Sequence, residues 1–246
     1  MLARNRKRFD STLTKAVVKV GIGRGFVIQH SVWIPPGKMK PAVFTETKAD
    51  GKPTRIVFGA INGKGRYLDR RLVVTAAHCL PYLPPCHVTS PIEECTYKSL
   101  LGTLDSHKPE VWATCLFVDP VADIAVLGSP DGLVLAEAYE ALTDGVPVLR
   151  VGKPPREGSA WVLTLGGQWV RCTVGPTGDY LWIDNTKKVE GGMSGSPILS
   201  DHGTVIGVLC VGNPTIDSDR VRRPTRSFPH PVLAHHLPGW LLRKPH

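Results

Sequence analysis

The stretch Leu72-Val73-Val74-Thr75-Ala76-Ala77-His78-Cys79 decides how the chain is read. Its first four residues are apolar or β-branched, which suits a strand. Two alanines then lead into a histidine. Downstream, Ala122-Asp123-Ile124-Ala125-Val126-Leu127 places an acid at the mouth of a second apolar strand. Further on, Glu190-Gly191-Gly192-Met193-Ser194-Gly195-Ser196-Pro197 sets a serine in a glycine-dense turn.

A serine hydroxyl becomes a nucleophile when a neighbouring imidazole takes its proton. The imidazole needs one tautomer and one orientation, which a buried carboxylate supplies. A tetrahedral intermediate needs two N–H groups aimed at its oxyanion. Glycine beside the serine lets the backbone turn sharply and come close to a substrate. The three segments therefore nominate Ser194 as nucleophile, His78 as general base and Asp123 as orienting carboxylate. The N–H groups of Gly192 and Ser194 are the nominated oxyanion donors. Each segment alone has a plainer reading: a structural histidine, a strand-start cap, an ordinary turn. Among the other histidines, His87, His107, His202, His235 and His236 lack such a context and are read as structural.

Outward from these segments, short apolar or alternating runs recur, split by Gly, Pro, Asn and Asp. Residues 16–20, 25–28, 55–58, 72–75, 112–118 and 124–127 read as strands. So do 146–151, 160–165, 169–174, 180–183, 197–199 and 204–211. They do not alternate with long helical patterns, which disfavours a parallel α/β sheet and points to an all-β chain. Two stretches have helical character: 136–142, and 231–242 with an interruption at Pro238. Residues 29–54, rich in Pro, Lys and Gly, read as a long inserted surface loop.

With the segments in the order His78, Asp123, Ser194, the chain resembles the chymotrypsin-like (trypsin-fold) serine proteases. TAAHC and GMSGSP look like that family's His and Ser signatures. DIAVL is similar to its Asp signature, above all in compact bacterial, HtrA-like members. The resemblance spans roughly residues 15–213. It implies two antiparallel six-stranded β-barrels with the active site between them. The first barrel is expected over 15–125, carrying the inserted loop 29–54, and the second over 126–213. Basic tails at 1–14 and 214–246 flank them, the latter with room for a short helix. The implied activity is hydrolysis of peptide bonds in a protein or peptide substrate through an acyl-enzyme, with no metal and no organic cofactor.

The same resemblance implies a substrate site and exposes departures. Lys188 falls at the base of the primary pocket, with pointing to solvent as its alternative. Cys210, Val211 and Gly212 would form the pocket wall, whose edge could pair with the substrate backbone. Met193 stands where many secreted members carry an Asp that pairs with a newly cut N-terminus. Cys79 follows the histidine as in many members, yet residues 56–72 contain no partner cysteine. Cys210 lies where many members place a serine that helps to hold the acid, which implies a looser grip on Asp123.

Composition narrows the field. At 246 residues, with 42% hydrophobic and 21% charged side chains, the chain can bury a sizeable core and is not a disordered polymer. No apolar run approaches the ~20 residues of a membrane span. The net charge of +9 sits at the ends. Residues 1–25 hold seven Lys/Arg against one Asp, and residues 214–246 hold six against two. These ends are read as solvated tails; they carry no pattern specific for nucleic acid. No apolar segment follows the basic N-terminus, so a reducing, cytoplasmic setting with mostly free thiols is expected. Cys86 and Cys95 are the one pair suspected of bridging. Two rival functions remain. An esterase of the α/β-hydrolase type needs the order Ser, Asp, His and a G-x-S-x-G elbow, which Ser196 spoils. A catalytically weak or inactive protein of the same fold, acting as a binding module, would keep the same motifs.

Overall fold

The computed structural model describes residues 12–34, 42–47, 53–58, 66–84, 95–184, 189–210 and 227–242. The chain divides into two compact units. One comprises residues 1–29 and 71–242, and the other residues 30–70 and 243–246.

Six strands form a closed barrel: β1 (Val17–Val20), β2 (Gly23–Ile34), β5 (Arg66–Thr75), β6 (Thr96–Thr103), β7 (Val111–Asp119) and β8 (Ile124–Gly128). Their order around the barrel is β1-β2-β5-β8-β7-β6. β1 and β2 join through the two-residue turn Gly21-Ile22, with Val20 opposite Gly23. Gly21 takes φ +52, as such tight turns require. Val17, Val20, Phe26, Val73, Tyr97, Leu101, Ile124 and Leu127 on these strands are buried. Each fully buried aliphatic or aromatic side chain of this size contributes roughly 1.5–3 kcal/mol relative to exposure.

A second six-stranded antiparallel sheet follows: β9 (Gly158–Leu163), β10 (Trp169–Thr177), β11 (Tyr180–Ile183), β12 (Pro197–Ser200), β13 (Val205–Val208) and β14 (Ser227–Pro231). The order is β13-β12-β9-β10-β11-β14. A bridge between Gly207 and Val232 brings its two edges together. The architecture is thus the expected pair of six-stranded antiparallel barrels. One apolar cluster runs from the first barrel through Leu163, Trp169, Leu199, Val205 and Leu233. A second fills the second barrel around Val174, Leu181, Ile183, Met193 and Ile198.

Four details differ from the reading of the sequence. First, the sixth strand of the second sheet, β14, lies beyond residue 213, inside the stretch read as a tail. Two short helices follow, α2 (Leu233–His236) and α3 (Gly239–Leu242), broken around Pro238 as its ring demands. Second, residues 146–151 form no strand. They run extended between the barrels: Leu149 donates to the Val27 carbonyl, and Arg150 accepts from Val205, both at 2.8 Å. The helix before them, α1 (Leu133–Asp144), is longer than the sequence suggested. Third, β6 escaped notice. Ser99 takes φ +51 and breaks its alternation, so the apolar positions fall out of a period of two. Fourth, the segment read as loop 29–54 contains paired strands. In that separate unit β3 (Ala42–Thr47) and β4 (Pro53–Phe58) form an antiparallel hairpin, with Ala42 opposite Phe58 and Thr47 opposite Pro53.

Candidate active site

His78 lies in a single 3-10 turn (Ala77–Cys79) at the end of β5. Asp123 closes the turn between β7 and β8. That turn is held by Asp119, whose carboxylate accepts from the N–H groups of Val121 and Ala122 at 3.0 and 2.9 Å. Asp123 itself adopts φ +58, a left-handed conformation that Asp tolerates better than most residues. The Asp123 carbonyl accepts from Ala77 N–H at 3.1 Å, which clamps the two turns together.

The carboxylate of Asp123 engages His78 twice. One oxygen accepts from the His78 main-chain N–H at 2.9 Å, and the other meets the imidazole Nδ1 at 2.6 Å. The ring is therefore held by its edge and its backbone by the same acid. The bond to Asp123 raises the His78 imidazole above its ordinary value, against burial, which lowers it. Burial alone would raise the Asp123 carboxyl. The hydrogen bonds from the His78 ring and main chain outweigh it and hold the group below its usual range. With Nδ1–H directed at the carboxylate, Nε2 is left as the basic nitrogen.

Ser194 is 6% exposed and sits in a turn set by two glycines. Gly192 takes φ +90 and Gly195 φ +81, where L-residues are strained. Met193 N–H donates to the Glu190 carbonyl at 3.2 Å, and Ser196 N–H to the Met193 carbonyl at 3.0 Å. Between them, the N–H groups of Gly192 and Ser194 donate to no backbone carbonyl among the described residues. A Cβ on Gly195 would lie 1.9 Å from the Arg24 carbonyl oxygen. Gly195→Ala is therefore expected to lower stability by about 3 kcal/mol or more, combining positive-φ strain with the clash. Thermal unfolding checks it, and a melting temperature within a degree or two of the parent would contradict this packing.

The two halves of the site converge on Gly23. A Cβ there would lie 2.4 Å from the Cys79 sulfur and 2.7 Å from the Ser194 carbonyl oxygen. The residue beside His78 and the backbone of Ser194 thus press on one strand position that only glycine fits. The next residue, Arg24, completes the join. Its N–H donates to the Ser194 carbonyl at 2.8 Å, and its own carbonyl accepts from the Thr75 hydroxyl at 2.6 Å. Its guanidinium reaches across to the carbonyls of Leu163, Thr164 and Leu165 at 2.9, 3.1 and 3.4 Å. Arg24 is 6% exposed, and burial lowers its proton affinity. The sequence reading counted it among the charges of a solvated end. Only its neighbours in the run Gly23-Arg24-Gly25 hinted at a close backbone approach.

Cys210 touches the same place from the second barrel. Its thiol donates to the Asp123 main-chain carbonyl at 3.7 Å, and hydrogen bonding from Cys210 also helps to hold the Asp123 carboxyl down. Both carboxylate oxygens of Asp123 are held by His78, and Cys210 adds a contact to the same residue. Burial pushes the Cys210 thiol far up, so it stays protonated. Cys79, Cys95, Cys115, Cys172 and Cys210 are unbridged. Burial raises Cys79 and Cys115 to about 11 and Cys172 to about 12. Lys188, Val211, Gly212 and Cys86 lie outside the described residues. Among the described residues, no helix is long and apolar enough to cross a membrane.

A family model described as a trypsin-like peptidase domain matches residues 61–208. No curated protein matches the chain. A solved structure described as "Crystal structure of Rv3671c protease, inactive form" is 18% identical, with a TM-score of 0.41. The similarity covers 83% of this chain and 81% of that one.

Proposed function

This chain belongs to the trypsin-like peptidase family, and on that footing we propose that it is a serine endopeptidase working through an acyl-enzyme on Ser194. Its substrates are proteins or peptides. The observation that carries the reading is the double engagement of His78 by Asp123, at 2.9 and 2.6 Å. An acid that grips both the ring and the backbone of one histidine fixes tautomer and orientation together, which is what a general base for a hydroxyl needs.

In this mechanism His78 Nε2 takes the proton of Ser194 Oγ as the oxygen attacks the scissile carbonyl. The oxyanion is met by the N–H groups of Gly192 and Ser194. Asp123 stays ionised and stabilises the imidazolium. His78 returns the proton to the leaving amine, and water then repeats the cycle on the ester. The substrate backbone lies along Cys210, Val211 and Gly212 as an added strand, and Lys188 at the pocket base favours acidic or polar side chains.

The test is a fluorophosphonate probe on the intact protein, followed by mapping of the labelled residue. Label on Ser194 supports the reading, and label on another serine overturns it. A pH profile adds an independent arm. His78 must be neutral to act, and Asp123 raises it above its ordinary value of about 6.5. The acylation rate should therefore climb with pH and reach its plateau later than an unperturbed imidazole would give. In Asp123→Asn the midpoint should shift to lower pH while the plateau drops. A midpoint unmoved by that substitution would contradict the pairing.

A further inference from the structure

Arg24 is a buried cation, 6% exposed. Among the described residues no carboxylate forms an ion pair with it. Burial lowers its proton affinity, yet a guanidinium keeps its charge inside proteins. That charge is met by the carbonyl oxygens of three consecutive residues. One terminal nitrogen donates to Leu163 at 2.9 Å and to Thr164 at 3.1 Å, and the other to Leu165 at 3.4 Å. A buried charge is costly even when hydrogen bonds answer it, and an apolar side chain of similar volume avoids that cost. What the cation does there follows from the segment to which the three carbonyls belong.

They lie at the end of β9 and in the turn after it. Thr164 N–H donates to the Gln168 carbonyl at 2.9 Å, and Gly167 N–H to the Thr164 carbonyl at 3.0 Å, which closes that turn. The turn lays Leu165 over Gly192. A Cβ on Gly192 would lie 3.5 Å from Leu165 Cδ2 and 4.0 Å from the Ile22 carbonyl oxygen. Gly192 is one nominated oxyanion donor. The other, Ser194, is fixed directly: its carbonyl accepts from the Arg24 main-chain N–H at 2.8 Å. The Arg24 main chain is itself braced, since its carbonyl accepts from the Thr75 hydroxyl at 2.6 Å. One residue thus reaches both ends of the 192–194 turn. Its side chain does so through the 163–165 carbonyls and Leu165, and its main chain through Ser194.

We propose that Arg24 is a positioning residue for the oxyanion turn: its guanidinium anchors the carbonyls of Leu163, Thr164 and Leu165 while its N–H anchors that of Ser194. The assignment rests on the peptidase reading and deepens it. Oxyanion donors stabilise a transition state only when they are aimed before charge develops. A misplacement of about 1 Å can cost about 10²-fold in rate. A planar fork of N–H donors spans several carbonyls in one fixed geometry, whereas a lysine ammonium is a single point charge. Without the fork, the turn bearing Leu165 loses its anchor on β2, and Gly192 loses a fixed cover. The loss falls on the transition state and not on ground-state binding, so it belongs in kcat and not in KM. The groups that shift His78 and Asp123 are each other and Cys210, not Arg24. The pH dependence of the reaction should therefore be indifferent to Arg24.

Fluorophosphonate labelling of Ser194 and turnover of a small peptide ester, both on the full chain, test the clamp. Arg24→Met keeps much of the volume and removes the fork. Labelling rate and kcat should each fall about 100-fold, with KM within about threefold of the parent. The midpoint of the pH–rate profile should stay where it was. Arg24→Lys restores a charge and donors, and should recover about tenfold of the loss. A folded methionine variant that labels within about threefold of the parent overturns the proposal. So does a loss carried by KM alone, a pH midpoint that moves with kcat, or a lysine variant no faster than the methionine one. Should the methionine variant not fold, Leu165→Ala decides. Leu165 is half-exposed, so folding does not depend on it, yet its side chain links the anchored turn to Gly192. Labelling should then fall about tenfold at an unchanged Tm, and an unchanged rate overturns the clamp. A parent protein that takes no label on Ser194 sinks the peptidase reading itself. A parent that labels, beside an Arg24→Met variant that labels equally fast, sinks the clamp alone.

Discussion

Replacing Ser194 by alanine should abolish fluorophosphonate labelling and lower turnover by a factor on the order of 10⁴–10⁶. The size follows from the division of labour at the site. Without the hydroxyl no acyl-enzyme forms, and only binding and the N–H groups of Gly192 and Ser194 remain to stabilise attack by water. The substitution is also structurally clean. Ser194 is held by its main chain, through the Arg24 N–H at 2.8 Å, and removing one small oxygen leaves that bond intact. Melting temperature should therefore change by little while activity disappears. A second variant sharpens the test. His78→Ala should cost about as much as Ser194→Ala, and the double variant hardly more, because base and nucleophile act as one unit. Losses that multiply in the double variant would show that the two residues do not share a step. Turnover surviving Ser194→Ala within tenfold would place the chemistry elsewhere.

The segments that made the site legible are those whose chemistry is local in sequence. TAAHC, DIAVL and GMSGSP each carry a polar group at the end of an apolar strand or inside a glycine turn, and such patterns need no distant contact to be read. What escaped depends on contacts across the fold. Arg24 reaches carbonyls some 140 residues away, and only the glycines on either side of it in the chain hint at that packing. His230 finds its partner at Cys210, across 20 residues that include no motif. The missing partner of Cys79 was sought in residues 56–72, just before the histidine. The strand that faces the Cys79 sulfur is β2, and the position opposite it is Gly23. Residues 35–65, with the hairpin β3–β4, separate β2 from β5 in sequence, so proximity along the chain points to the wrong strand. The end of the second barrel was misjudged for a related reason. Residues 214–226 are basic and polar, and the apolar pattern resumes only in a short run that contains two prolines.

That misjudged end has a large expected consequence. Ending the chain at residue 226 should destroy the folded second barrel, whereas removing residues 1–11 should be tolerated. The C-terminal cut removes β14, which covers the outer edge of β11 through Leu181 opposite His230. It also removes Val232, Leu233, Leu237 and Leu241, all buried. At roughly 1.5–3 kcal/mol each, these four side chains alone represent about 6–12 kcal/mol, comparable to the whole stability of a typical domain at about 5–15 kcal/mol. The cut further strips the Cys210 N–H of its acceptor and leaves β11 as an open edge, a template for aggregation. The N-terminal cut removes Arg4, Arg6, Lys7 and Arg8 but keeps Leu13 and all of β1, which close the first barrel. We therefore expect the 227–246 deletion to be insoluble or to lack a cooperative thermal transition, and the 1–11 deletion to melt within a few degrees of the full chain and keep its rate on a small peptide ester. Calorimetry and the ester assay on both proteins decide it. A soluble C-terminal truncation with an unshifted transition would mean that β14 is dispensable to the second barrel, and loss of activity in the N-terminal one would place residues 1–11 in the site.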